Sequence, residues 1–132
     1  MAKKIFIIED DANVLYGLQA KFSLEGFQVR TNSGNMEIQD LLVEIKKFRP
    51  DFIVFDLILP ALDGFELLKV IKADEEISFL PIFIFTNLSD QDSKNRSLDL
   101  GVKHYFIKSD FNIDEFISKV KKMIINIAKV CT

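Results

Sequence analysis

The chain has 132 residues, with 17 Lys and Arg against 20 Asp and Glu and a formal net charge of −3. Its length suits one domain with a single core, and 48% hydrophobic with 28% charged residues excludes a disordered or collagen-like polymer. The mild acidity and the lack of a long Lys/Arg run remove the electrostatic footprint of non-specific nucleic-acid binding, so no direct nucleic-acid partner is expected.

Lys4 to Ile8 forms the first predicted strand. Lys3 and Lys4 precede its apolar residues, but Glu9, Asp10 and Asp11 follow at once, so the stretch is too short for a signal peptide. Val14, Leu18 and Phe22 repeat every four residues and predict a helix that Gly26 ends. Phe27 to Arg30 is the second strand, and Ile38, Leu41, Leu42 and Ile45 stripe the second helix. Pro50 precedes the third strand, Phe52 to Asp56, and Leu67, Val70 and Ile71 mark the third helix. Pro81 precedes the fourth strand, Ile82 to Thr86. The fourth helix, Gln91 to Leu100, is the weakest: its stripe rests mainly on Leu98 and Leu100, amid Ser93, Asn95 and Ser97. At roughly 25 cal/mol per Å² little buried area holds it, and it is predicted to be the mobile helix. Gly101 ends it, and His104 to Ile107 is the fifth strand. Ile113, Phe116, Ile117, Val120, Ile124 and Ile127 run down one face of the last helix. The lone cysteine, Cys131, can form neither an intramolecular disulfide nor, by itself, a thiolate metal site.

Most of these strands are solidly apolar, as in a parallel sheet covered on both faces. Strand and helix alternate five times, which predicts a doubly wound α/β domain over residues 1–132 with no room for a second domain. No segment approaches the roughly 18 apolar residues of a membrane span, so a cytoplasmic chain without a membrane partner is expected.

In such a sheet the site lies at the carboxyl ends of the strands. Strand one ends in Glu9-Asp10-Asp11, strand three in Asp56, strand four in Thr86 and strand five in Lys108. Asp56 interrupts an apolar run, and a buried carboxylate needs a partner or an open strand end; a turn or cap acid before Pro60 and Gly64 is the plainer explanation. Capping by Asp11 or Asn13 explains part of the first acidic cluster. Two acids beside a third on the adjacent strand instead suit a hard divalent cation such as Mg²⁺. Lys108 can pair with Asp56, and Thr86 is either an ordinary strand residue or a hydroxyl donor to the same group.

Taken together, Glu9-Asp10, the run Asp56-Leu57-Ile58-Leu59-Pro60-Ala61-Leu62-Asp63-Gly64, Thr86, and Tyr105 three residues before Lys108 resemble the response regulator receiver domains of two-component signalling, over essentially the full chain. The resemblance implies a flavodoxin-like (βα)5 fold with strand order 2-1-3-4-5. It implies that Asp56 is the phosphoacceptor, that Glu9, Asp10, Asp56 and the backbone carbonyl of Ile58 hold Mg²⁺, and that Thr86 and Lys108 bind phosphoryl oxygens. Tyr105 would be the aromatic switch that follows Thr86, and the face of helix four, strand five and helix five the readout. The implied donor is a sensor histidine kinase, a phosphotransfer protein or a small acyl phosphate. The chain would act on a protein target in trans and would not be an enzyme beyond its own phosphorylation and dephosphorylation.

Four positions stand out against the family pattern. Ser109 replaces the usual proline after the lysine, where a cis bond would cost about 2.5–4 kcal/mol, and Asn87 replaces a small residue after Thr86. Ile58 and Leu88 occupy positions that influence hydrolysis in the family; neither can hydrogen-bond an attacking water, which implies slow autodephosphorylation.

Other functions fit less well. A phosphorylation-independent, receiver-like interaction module is disfavoured by the full set of five functional side chains. A flavodoxin-like redox protein needs a phosphate cradle where Glu9-Asp10-Asp11 would repel phosphate. A phosphatase of the Asp-x-Asp type lacks that pattern at both acidic strand ends. A histidine phosphotransfer protein carries its histidine on a bundle helix, whereas His104 begins a strand and reads as structural. The outward Ile125 and Val130 suggest a monomer or weak homodimer.

Overall fold

The apolar runs pair as parallel strands because each has a covering helix between it and the next. In a computed structural model of the chain, backbone is described for residues 3–131 and side chains for residues 3–126. The order is β1 (Lys4–Ile8), α1 (Ala12–Leu24), β2 (Gln28–Asn32), α2 (Ile38–Phe48), β3 (Phe52–Phe55), α3 (Gly64–Ala73), β4 (Ile82–Thr86), α4 (Gln91–Asp99), β5 (His104–Ile107) and α5 (Ile113–Cys131). The strands form one parallel sheet in the order β2-β1-β3-β4-β5, the flavodoxin-like topology expected from the resemblance.

Alternation along the strands divides the core in two. Phe6, Ile8, Ile53, Phe55, Ile82 and Ile84 pack with Leu41, Leu42 and Ile45 of α2 and Leu67, Leu68 and Ile71 of α3. Ile5, Ile7, Val54, Phe83, Phe85 and Phe106 pack with Leu18 and Phe22 of α1 and Phe116, Ile117, Val120 and Ile124 of α5. Both faces are therefore covered, and the buried ionisable groups, Glu9 and Asp56, lie at a rim.

The structure revises two details of the sequence reading. The second strand runs from Gln28 to Asn32 rather than from Phe27 to Arg30, and as an edge strand it alternates between exposed and half-buried residues. Phe27 instead packs edge-on against Phe22 at 5.5 Å. In α4 the inward residues are Ser93 and Ser97, while Leu98 is 45% exposed. Asp90 caps this helix by accepting from the Ser93 N–H, which fixes its start; positions 93 and 97, four apart, then share the inner face and 98 turns away. Leu100, just past the helix, is partly buried against the α2/α3 layer. Ile125 is exposed as expected, whereas the side chains of Ile127 and Val130 lie outside the described residues.

Candidate functional site

β1, β3, β4 and β5 deliver Glu9, Asp56, Thr86 and Lys108 to one rim of the sheet. The Asp56 N–H donates to the Ile8 carbonyl at 3.1 Å, so the ladder fixes this residue although the strand ends at Phe55. Its carboxylate is 6% exposed and fully engaged. Oδ1 accepts from the Thr86 hydroxyl at 2.6 Å and from the Ile58 N–H at 3.0 Å, and Oδ2 accepts from the Lys108 ammonium at 2.7 Å.

Lys108 also donates to Oε1 of the buried Glu9, at 2.6 Å. One ammonium, from the end of β5, thus bridges two acids brought from the neighbouring strands β1 and β3. Glu9 Oε2 accepts from the Asp11 N–H at 3.1 Å, which holds the acid turned into the rim. Burial raises the Glu9 pKa, and the hydrogen bonds from Lys108 and Asp11 only partly offset it. Burial is also the largest single influence on Lys108 and would lower its pKa, but hydrogen bonds to Asp56 and Glu9 outweigh it and the net direction is up. The ammonium is therefore held charged between two carboxylates, the arrangement that makes buried charge tolerable.

Asp10 does not join this cluster: its side chain is exposed. Among the described residues no group of three or more His, Cys, Asp or Glu side chains gathers as a metal cage, because Lys108 stands between Glu9 and Asp56. The donor chemistry still suits a hard cation, with buried carboxylates on both sides of Lys108 and an exposed acid at the next position.

Asp11 caps α1, accepting from the Asn13 and Val14 N–H groups. The loop after Asp56 folds back on itself: Ile58 and Asp63 form an antiparallel bridge, and Asp63 caps α3 by accepting from Phe65 N–H. Gly64 is required there, since a Cβ would lie 2.3 Å from the Leu57 carbonyl oxygen. Ile58 is 52% exposed beside the acid it bonds, and Asn87 is exposed. The Lys108–Ser109 peptide is trans and opens a single 3₁₀ turn, Lys108–Asp110, so replacement of the usual proline leaves Lys108 within reach of both acids.

A chain of hydrogen bonds leads away from Asp56. Thr86, fully buried, accepts weakly from the Leu88 N–H at 3.3 Å, and the Leu88 carbonyl accepts from the Tyr105 hydroxyl at 2.7 Å. Burial, with the Asp90 and Asp56 charges, pushes the Tyr105 phenol up to about 12, so it remains a neutral donor. The sequence reading named Asp56, Thr86, Tyr105 and Lys108, but missed the Glu9–Lys108 pair and the Leu88 backbone link. His104 is half-buried and stacks on Phe83 at 4.6 Å, consistent with a structural role.

Comparison with known proteins shows which family the chain resembles over most of its length. The family profile described as Response regulator receiver domain matches residues 5–121. The chain is 33% identical over 123 residues to sporulation initiation phosphotransferase F of Bacillus subtilis, with 92% of this chain and 94% of that protein covered. It is 27% identical over 121 residues to the DNA-binding dual master transcriptional regulator RpaA of Synechocystis, spanning 48% of that protein's length. Among solved structures, the phosphorylated cyanobacterial phytochrome response regulator RcpA is similar at a TM-score of 0.77 and 29% identity, with 93% of this chain and 91% of that one covered.

Proposed function

The chain belongs to the response regulator receiver domain family, and from that premise we propose that Asp56 accepts a phosphoryl group and that its modification resets the surface of α4, β5 and α5 for a partner. Receiver domains serve two-component and phosphorelay signalling, accept phosphoryl groups rather than acting as conventional enzymes, typically bind a divalent metal, and interact with histidine kinases or phosphotransfer proteins. The observation that carries the finer reading is the convergence of Lys108 and Thr86 on the two oxygens of one buried carboxylate, at 2.7 and 2.6 Å.

An Asp56 oxygen attacks the phosphorus of a phosphohistidine or small acyl phosphate. The O–P bond forms as the P–N or P–O bond breaks, and the bonding pair leaves with the imidazole or carboxylate. Lys108 and Thr86, already aimed at the Asp56 oxygens, transfer their hydrogen bonds to the incoming phosphoryl oxygens. Glu9, Asp10, Asp56 and the Ile58 carbonyl would hold Mg²⁺, which supplies positive charge against the charge of the transferring group. Lys108 occupies Glu9 Oε1 and Asp56 Oδ2, so a bound cation would draw on the lone pairs these carboxylates have left and on the exposed Asp10. Movement of Thr86 toward the phosphoryl group strains its contact with Leu88 N–H, and through the Leu88 carbonyl loosens Tyr105. That couples the rim to α4 and β5. The donor in this reading is a sensor histidine kinase or phosphotransfer protein, and the output is a protein target in trans.

Intact mass spectrometry after incubation with Mg²⁺ and acetyl phosphate tests the reading. A gain of about 80 Da in the wild type, absent from Asp56→Asn and from the Mg²⁺-free sample, is expected. No adduct under any of these conditions would leave a phosphorylation-independent interaction module as the better account.

A further inference from the structure

At the opposite rim, where β4 and β5 begin, the molecule carries positive charge that its own acids leave unmatched. A cavity of about 230 Å³ is lined there by Lys72 at the end of α3, Phe79 and Pro81 before β4, and Gly101, Lys103 and His104 at the entry to β5. No carboxylate lines it, and among the described residues neither lysine makes an ion pair, although the chain as a whole is net negative at −3. Lys72 stretches across Gly101, with Cε 3.6 Å from where a Cβ would stand; the turn's glycine, at φ +96°, leaves room for it. Burial lowers the Lys72 pKa and the nearby Lys103 charge lowers it further. Phe79 is 75% exposed beside them, between buried Ile77 and Leu80, which fix the backbone that presents it.

We infer that this rim is a docking site for an acidic segment of a partner protein, with carboxylates received by Lys72 and Lys103 and an apolar side chain laid on Phe79. Exposed aromatics on a rigid backbone, flanked by cations, are effective anchors in protein interfaces. The cavity is smaller than the roughly 300–1,000 Å³ of small-molecule sites and accommodates side chains rather than a nucleotide. A nucleic-acid strand needs a cationic track longer than two lysines, and the cleft on the other side of Phe79 does not extend one, since it mixes Lys46 and Arg49 with Asp51 and Glu76. The length of β4, five residues or about 13 Å, separates this rim from Thr86, so a partner can stay bound here while a phosphodonor occupies the other end.

A random peptide display library selected on the immobilised full chain should enrich sequences with paired Asp or Glu around an aliphatic or aromatic residue. The leading peptide, synthesised, should shift the amide resonances of Lys72, Phe79, Lys103 and His104. Its affinity should fall at least about tenfold when its acids are changed to amides, and equally with the Lys72→Gln/Lys103→Gln chain. The double variant should retain the wild-type melting transition and its Mg²⁺-dependent mass gain, which separates failure of this site from failure of the phosphoacceptor reading. Absence of acidic consensus, shifts confined to the Asp56 rim, or undiminished binding to the double variant overturns the assignment. So do the same shifts produced by raising the chain's own concentration, which point to a second copy, or tighter binding of a single-stranded RNA oligomer.

Discussion

α5 and α4 lie on opposite faces of the same sheet, next to the same strands, and are held in different ways. α5 buries Phe116, Ile117, Val120 and Ile124, with Phe116 stacked on Phe85 at 4.1 Å and edge-on to Phe106 at 5.2 Å. α4 buries Ser93 and Ser97, and among the described residues the Ser97 hydroxyl has no hydrogen-bond partner. Its attachment to α3 includes the Arg96 guanidinium lying 3.9 Å over the Phe65 ring. Apolar burial contributes about 25 cal/mol per Å², so α5 is fastened and α4 is cheap to move. The helix that is cheap to move is also the one that follows Thr86 and Leu88, the residues in hydrogen-bond connection with Asp56. Under the proposed function, a charge added at Asp56 would act on the helix that is held least firmly.

The comparison breaks if the two helices respond alike to mutation. Phe116→Ala should cost about 3–5 kcal/mol in urea unfolding, because a stacked, fully buried ring leaves a cavity between α5 and the sheet; a loss below ~1 kcal/mol would mean α5 is not the firm element. Leu88→Glu together with Ile58→Asn supplies groups that can orient water beside Asp56, and should shorten the phosphoprotein half-life severalfold; an equal or longer half-life would contradict the shielding argument. Ser97→Ala removes a buried hydroxyl that has no partner among the described residues and should stabilise the chain by about 1 kcal/mol, with slower amide exchange across Gln91–Asp99. Destabilisation there would show that the hydroxyl has a partner in solution.

The smallest effect concerns Tyr105. Its folded pKa, about 12, lies above the ordinary value of 10, so its contribution to stability is complete below pH 10 and is lost as pH rises through about 12. In a spectrophotometric titration the phenol ionising near 12 should be missing from Tyr105→Phe. That variant should also lose the bond to the Leu88 carbonyl and loosen α4 further, and unchanged exchange in α4 would uncouple the tyrosine from it.

Much of this arrangement was legible in the sequence because the physics behind it is local. Strands buried on both faces show as unbroken apolar runs, and Asp56 was conspicuous as an acid ending one of them. The inward face of α4 was not legible: the reading assigned it to Leu98, the apolar residue, whereas the cap at Asp90 sets the phase and turns two serines inward. The Glu9–Lys108 pair was missed for a different reason. β1 and β5 are separated by β3 and β4 in the sheet, and only where the strands end can these two long side chains meet. The Tyr105 bond to Leu88 ends on a backbone carbonyl, whose direction depends on loop geometry that residue types do not encode. Metal binding was anticipated from three acids, but the rim brings together two acids and a lysine, a balance of charge that spacing alone does not reveal.

The most direct test of the central claim is to locate the phosphoryl group. The full chain, treated with acetyl phosphate and Mg²⁺, is reduced with borohydride to convert any aspartyl phosphate to homoserine, then digested and sequenced by tandem mass spectrometry. The account predicts homoserine at position 56 alone, and none when Mg²⁺ is withheld. Homoserine at position 10 or 11 instead, or none at 56 under conditions that modify another receiver domain, would contradict it.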